Sequence, residues 1–226
     1  MRLGALAAAA ALGAALLQAA PAAHADVMSH GGEGFPLLPP SSLQAPEAEP
    51  ASPTQLAIAA LALAQLGRGR NGPNTIDGGD FGDSSALPNA WCAEFAAWVW
   101  ASAGISTAGL DGWAGSFFAY AERHDSYRPS GPRVGDAVVF AFDPKVASAA
   151  ARGALTGIRH ISHVGIVVDV SGSTVTVVNG DWGNGRGGVP LVRVSKFPLA
   201  QSDAGDFATG TGQYVAGYVA PVAAGQ

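Results

Sequence analysis

Ser162-His163-Val164-Gly165-Ile166-Val167-Val168-Asp169-Val170 and Thr174-Val175-Thr176-Val177-Val178-Asn179-Gly180 are separated by Ser171-Gly172-Ser173. Both runs are dense in Val, Ile and Thr, whose branched side chains fit a pleated, half-buried surface. Val170-Ser171-Gly172 suits a three-residue hairpin loop with Gly172 in the left-handed position. That register sets Asp169 against Ser173 and His163 against Asn179, on one face of the sheet and within hydrogen-bond reach. A histidine oriented by a cross-strand amide is the base-and-orienter half of a cysteine-type triad. His160, three residues upstream, gains no such partner.

Further β-branched runs at residues 137–142, 191–194 and 213–219 are separated by Gly and Pro signals. Upstream the period changes. Residues 55–66 read as a helix capped by Thr54 and ended by Gly67, and residues 68–87 as a loop. Residues 90–103 read as a second helix, with Trp91, Phe95, Trp98, Val99 and Ser102 on one face and Gly104 past its end. A third, short helix covers 115–123. Helices first and strands afterwards predict an α+β domain, with helices packed on one side of a mostly antiparallel sheet of about five or six strands.

The 226 residues carry a formal net charge of −5, and only 13% of them are charged. An acidic domain has no electrostatic pull toward nucleic acid or anionic lipid, so recognition rests on shape, hydrogen bonds and aromatics. Arg2 precedes an uncharged apolar run from Leu3 to Ala20, and Ala23-His24-Ala25 supplies a small-x-small cleavage pattern. Residues 1–25 are therefore expected to be a signal peptide, and the mature chain a secreted, extracellular or wall-associated monomer without stable membrane insertion. Residues 26–53, rich in Pro, Ala and Gly, read as a flexible leader, and residues 54–221 as the catalytic domain.

Cys92 is the sole cysteine. It has no internal disulfide partner, and an idle thiol is a liability in an oxidising compartment. Pro88 bars helix upstream and Asn89 is a good N-cap, which places Cys92 in the first turn of the second helix. Unpaired N–H groups and the positive dipole end there are expected to lower its pKa and to offer donors to an oxyanion. Of the five histidines, His24 leaves with the signal, His30 lies in the leader and His124 closes a helix. His160 and His163 remain as candidate bases.

Trp91-Cys92-Ala93-Glu94-Phe95, Trp98-Val99, Ala103-Gly104-Ile105, Gly135-Asp136-Ala137-Val138, His163-Val164-Gly165-Ile166-Val167 and Val178-Asn179-Gly180-Asp181 together resemble the CHAP family. These are cysteine, histidine-dependent amidohydrolase/peptidase domains, relatives of papain-like peptidoglycan hydrolases. The resemblance spans roughly residues 56–219. It implies a papain-like fold and a triad that cuts amide bonds in cell-wall peptides, with Cys92 as nucleophile and His163 as base. The scissile bond is a muramoyl–L-alanine amide or a link within or between stem peptides.

The third position departs from the family. Where many members have Glu and then Asn two residues later, this chain has Asn179 and Asp181. Asn179 is an adequate orienter but gives an imidazolium less support than a carboxylate, and Asp181 is the alternative. Trp91, Glu94 and Trp182 are candidate substrate contacts. Core packing competes for Trp182 and for Trp113, and a plain position on the helix surface competes for Glu94. Residues 183–188 are glycine-rich without a phosphate-binding pattern and read as a loop at the cleft edge. Some relatives bind Ca²⁺ through an acidic loop before the cysteine. Asp77, Asp80, Asp83 and Glu94 fit that spacing poorly, so neither metal nor cofactor is expected. Two rival functions stay open: a non-catalytic wall-binding or assembly protein on a decayed hydrolase scaffold, and a secreted cysteine protease.

Overall fold

The computed structural model of the chain describes residues 50–69, 90–154, 160–183 and 190–225. In chain order the elements are α1 (Pro53–Leu63), α2 (Cys92–Ser102), α3 (Ser116–His124), β1 (Tyr127–Arg128), β2 (Ala137–Ala141), α4 (Pro144–Ala151), β3 (Ile161–Ser171), β4 (Thr174–Trp182), β5 (Leu191–Pro198), β6 (Phe207–Ala208) and β7 (Gln213–Val219). The strands form one sheet in the order β1-β7-β2-β3-β4-β5, with β6 beside β7, and every pairing is antiparallel. The α+β architecture read from the sequence is the one observed.

Several boundaries move for identifiable reasons. Helix α1 is capped by Ser52 rather than Thr54. Ser52 accepts from the Gln55 N–H while the Gln55 side chain accepts from the Ser52 N–H, and Pro53 fills the first helical position. The expected cap of the second helix, Asn89, lies outside the described residues, as do most of the anticipated loop and all but the last residues of the signal and leader. Gly104, at φ +78, follows the end of α2. Helix α4 interrupts the expected run of strands. Asp143 caps it by accepting the Lys145 N–H at 2.8 Å, and Pro144 begins it.

The hairpin of β3 and β4 also differs in register. Ser171 pairs with Thr174 and Asp169 with Thr176, so the turn is the two residues Gly172 and Ser173. A bulge at Val168 then shifts the ladder, giving Val167↔Val177 and Ile166↔Val178. Continuing that pairing brings Gly165, not His163, opposite Asn179. The slip is two residues, an even number, so His163 and Asn179 keep a common face.

The sheet buries both faces. One packs on the helices, with Val139, Val164, Ile166 and Val178 against Ile58, Phe95, Val99 and Trp100. Trp100 is fully buried, donates its indole N–H to the Gly135 carbonyl at 3.0 Å and meets Phe117 edge-on at 5.3 Å. The other face gathers Val138, Phe140, Val167, Val175, Val177, Phe197 and Tyr218 into a second cluster. At the start of β2, buried Asp136 accepts the Arg133 N–H at 2.7 Å and pairs with Arg128 of β1. Burial outweighs these partners and lifts its carboxyl to about 6.

Candidate active site

Cys92 is the first residue of α2, and Trp91 before it has no side-chain cap of its own. The cap comes from another element. Asp181, near the end of β4, accepts the Trp91 N–H through Oδ2 at 3.3 Å. The helix lies close against the strand because residue 180 is glycine; a side chain there would collide with Phe95 and approach the Trp91 ring at 3.0 Å. Beyond Gly180 the strand departs from regular geometry. Asp181 takes φ +54, and the β4–β5 register slips between Asn179 and Trp182. The helix start thus sits where β4 turns away from β3, and the backbone of Val164, the residue after His163, is near enough to the Cys92 sulfur to favour its ionised form.

The His163 ring is held from the far side of that point. Its Nε2 lies 3.1 Å from Asn179 Oδ1, both side chains being buried. The amide is oriented by its other end: Nδ2 donates to Ser195 Oγ at 2.9 Å and to the carbonyls of Val177 and Arg193 at 3.3 Å. Carbonyls only accept, so Oδ1 is the atom left for the imidazole. An acceptor at Nε2 fixes the proton there and leaves the Nδ1 lone pair available to take one. Trp182 packs over the ring, with centroids 4.8 Å apart and planes at 55°, and Phe140 lies at 6.2 Å, across from it in β2.

Protonation runs against the expectation of an ionised thiol. Burial pushes the Cys92 thiol up to about 11, outweighing the effect of the Val164 backbone, and the Asp181 charge pushes the same way. Burial also pulls His163 down to about 4, only partly offset by Asn179. The helix N-terminus therefore does not lower this pKa below the ordinary value, because desolvation is the larger effect. At neutral pH the resting pair is a thiol and a neutral imidazole. Among the described residues no hydrogen bond joins the sulfur to the imidazole; the groups that favour its ionised form are the backbone of Val164, Ala93 and Cys92 itself.

Of the other residues singled out, Glu94 is buried in the first turn of α2, not on the helix surface. Trp91 is 3% exposed, packed over Gly180 rather than lining an open groove. Trp182 is half-buried against the imidazole. Trp113 is exposed. His160 is exposed and lines a recess of about 390 Å³ with Phe142, Asp143, Ile161 and Ser162. Asp77, Asp80, Asp83 and the glycine-rich segment at 184–188 lie outside the described residues. Among the described residues no group of three His, Cys, Asp or Glu side chains is placed to hold a metal ion. Sequence reasoning overlooked Ser195 and Gly165. Gly165 was legible as the one residue without a side chain in a β-branched strand, a mark of close approach.

Compared with known protein families, the chain matches the family model of the CHAP domain at residues 83–181, a span that contains Cys92, His163, Asn179 and Asp181. No curated protein and no solved structure matches it.

Proposed function

We propose, from the match to the CHAP-domain family model at residues 83–181, that the chain is an exported cysteine hydrolase of peptidoglycan amide bonds, with Cys92, His163 and Asn179 as its triad. The family supports hydrolysis of wall amides or peptides. The observation that carries the residue assignment is the buried His163–Asn179 hydrogen bond, which leaves one imidazole nitrogen free to act as a base.

The chemistry follows from the resting protonation. As a substrate carbonyl reaches Cys92, the sulfur attacks it while His163 Nδ1 accepts the thiol proton. Backbone N–H groups at the start of α2 stabilise the tetrahedral oxyanion. The imidazolium then protonates the leaving amine, the C–N bond breaks, and a thioester remains. Water, deprotonated by His163, hydrolyses the thioester and restores the thiol. Asn179 keeps the ring in the required tautomer throughout. The recess beside His160 reaches Ser162, the residue before His163 in β3, and offers room for a flanking part of the peptide.

Export after cleavage behind Ala25 belongs to the same proposal. Among the described residues no helix is long and apolar enough to cross a membrane. A second reading, a wall-binding protein without catalysis, is favoured by one observation: Cys92 is 6% exposed and protonated at rest. Incubating the purified protein with cell walls and assaying newly released amines decides between them. Release that disappears in Cys92→Ala supports hydrolysis; wall binding without release supports the rival.

A further inference from the structure

The end of β4 meets the start of α2 at an unusual backbone. Among the described residues only Asp125 and Asp181 hold a positive φ without being glycine. Asp125 follows the end of α3, where a left-handed residue is ordinary. Asp181 sits within a strand, where the same conformation is strained and persists only if its surroundings enforce it. They do so here. Gly180 is fixed under Phe95 and Trp91, and Asp181 Oδ2 accepts the Trp91 N–H at 3.3 Å.

We propose that Asp181 is a positioning residue whose carboxylate clamps the backbone preceding Cys92 to the bulge in β4 and sets a fixed negative charge at the positive end of α2. This role is distinct from orienting His163, which Asn179 performs, and it rests on the reading of Cys92 as nucleophile. The clamp fixes where the sulfur begins its attack, because Cys92 is the very next residue. The charge works against the helix dipole, which on its own favours a thiolate. Among the described residues the titratable side chains around the thiol are His163 from β3, Asp181 from β4 and Glu94 on α2 itself. Helix α1, packed on α2, carries none. Of these groups it is the Asp181 carboxylate that opposes ionisation of the sulfur. The thiol therefore keeps its proton until His163 removes it during attack.

Two substitutions in the full-length protein separate the clamp from the charge. Asp181→Asn retains an oxygen for the Trp91 N–H and tolerates a left-handed backbone, but removes the charge. Its rate of alkylation by iodoacetamide, followed against pH without substrate, should show a midpoint lower by about one pH unit, at an unchanged melting temperature. Asp181→Gly relieves the backbone and removes the clamp. It should melt no lower than wild type while kcat for wall hydrolysis falls roughly tenfold or more and KM stays in place. An unmoved midpoint in Asp181→Asn, or a wild-type kcat in Asp181→Gly, overturns the proposal. Should the wild-type protein fail to hydrolyse walls, the hydrolase reading falls, and the substrate-free alkylation arm still decides the role of Asp181.

Discussion

Asn179 Oδ1 occupies the space that a side chain on Gly165 would need, 2.5 Å from where its Cβ would stand. One missing methyl group in β3 thus lets a residue of β4 reach diagonally along the hairpin to His163.

Gly165→Ala should accordingly damage both fold and site. The new methyl meets Asn179 Oδ1 and Val177 Cγ1 in a well-packed interior, where such overpacking costs about 1–3 kcal/mol. Asn179 must swing away from the imidazole, so wall hydrolysis should fall further than the lost stability explains. Thermal melting and turnover measured together test this; a variant that keeps wild-type turnover sinks the geometric argument.

Asn179→Asp keeps the size of the side chain and adds a charge. A carboxylate beside the imidazole raises its pKa, so the acid limb of kcat/KM should climb from near 4 toward 6.5. The second oxygen now faces the carbonyls of Val177 and Arg193 where an N–H₂ stood, which costs about 1–3 kcal/mol. Asn179→Ala should instead lower turnover by a factor on the order of ten to a thousand. A pH–rate profile with an unmoved acid limb in Asn179→Asp removes Asn179 from the triad.

Trp182 is expected to control the same limb through hydration. Removing its ring in Trp182→Ala opens the imidazole to water and lessens the burial that depresses its pKa. The acid limb should move upward without a new charge being introduced. NMR titration of the imidazole checks this independently of activity, and a pKa still near 4 would show that the tryptophan is not the cover.

Two buried groups pull on the pH dependence of stability in opposite directions. His163 falls from 6.5 to about 4 on folding. Between those values the unfolded chain binds more protons, so stability is lost as the pH drops. Asp136 rises from 3.8 to about 6. Over that range the folded chain binds more protons, so stability is gained as the pH drops. Each shift corresponds to about 3 kcal/mol, and the two nearly cancel between roughly pH 4 and 6. His163→Gln should unmask a gain on acidification, and Asp136→Asn a steep loss. Urea midpoints across that range, compared among the three proteins, provide the test; parallel pH curves would refute it.

The fold was readable wherever composition and period agreed. The β-branched runs gave the strands, and Gly104 marked the end of α2. Helix α4 escaped because Lys145-Val146-Ala147-Ser148-Ala149-Ala150-Ala151 shows little apolar period, although Asp143-Pro144 carried the start signal. The pairing of His163 with Asn179 was reached through a register two residues away from the one observed, and the right face survived because strands alternate sides. Protonation was not legible. A helix start argues for a thiolate, and only the packing around Cys92 and His163 shows that desolvation is the stronger effect. The bulge at Asp181 likewise depends on contacts from α2 that no local pattern in β4 announces.

Cys92 is the sole cysteine of the chain and lies almost wholly inside it. Among the described residues no thiol therefore stands at the surface. The β3–β4 turn lies at the opposite end of the hairpin from the site, and Ser173 there is exposed. A cysteine at that position would be the exposed thiol, reacting with maleimide dyes, spin labels or a solid support faster than the buried Cys92. The protein could be tethered or tagged there by short exposure to such a reagent, ahead of the slower inner sulfur.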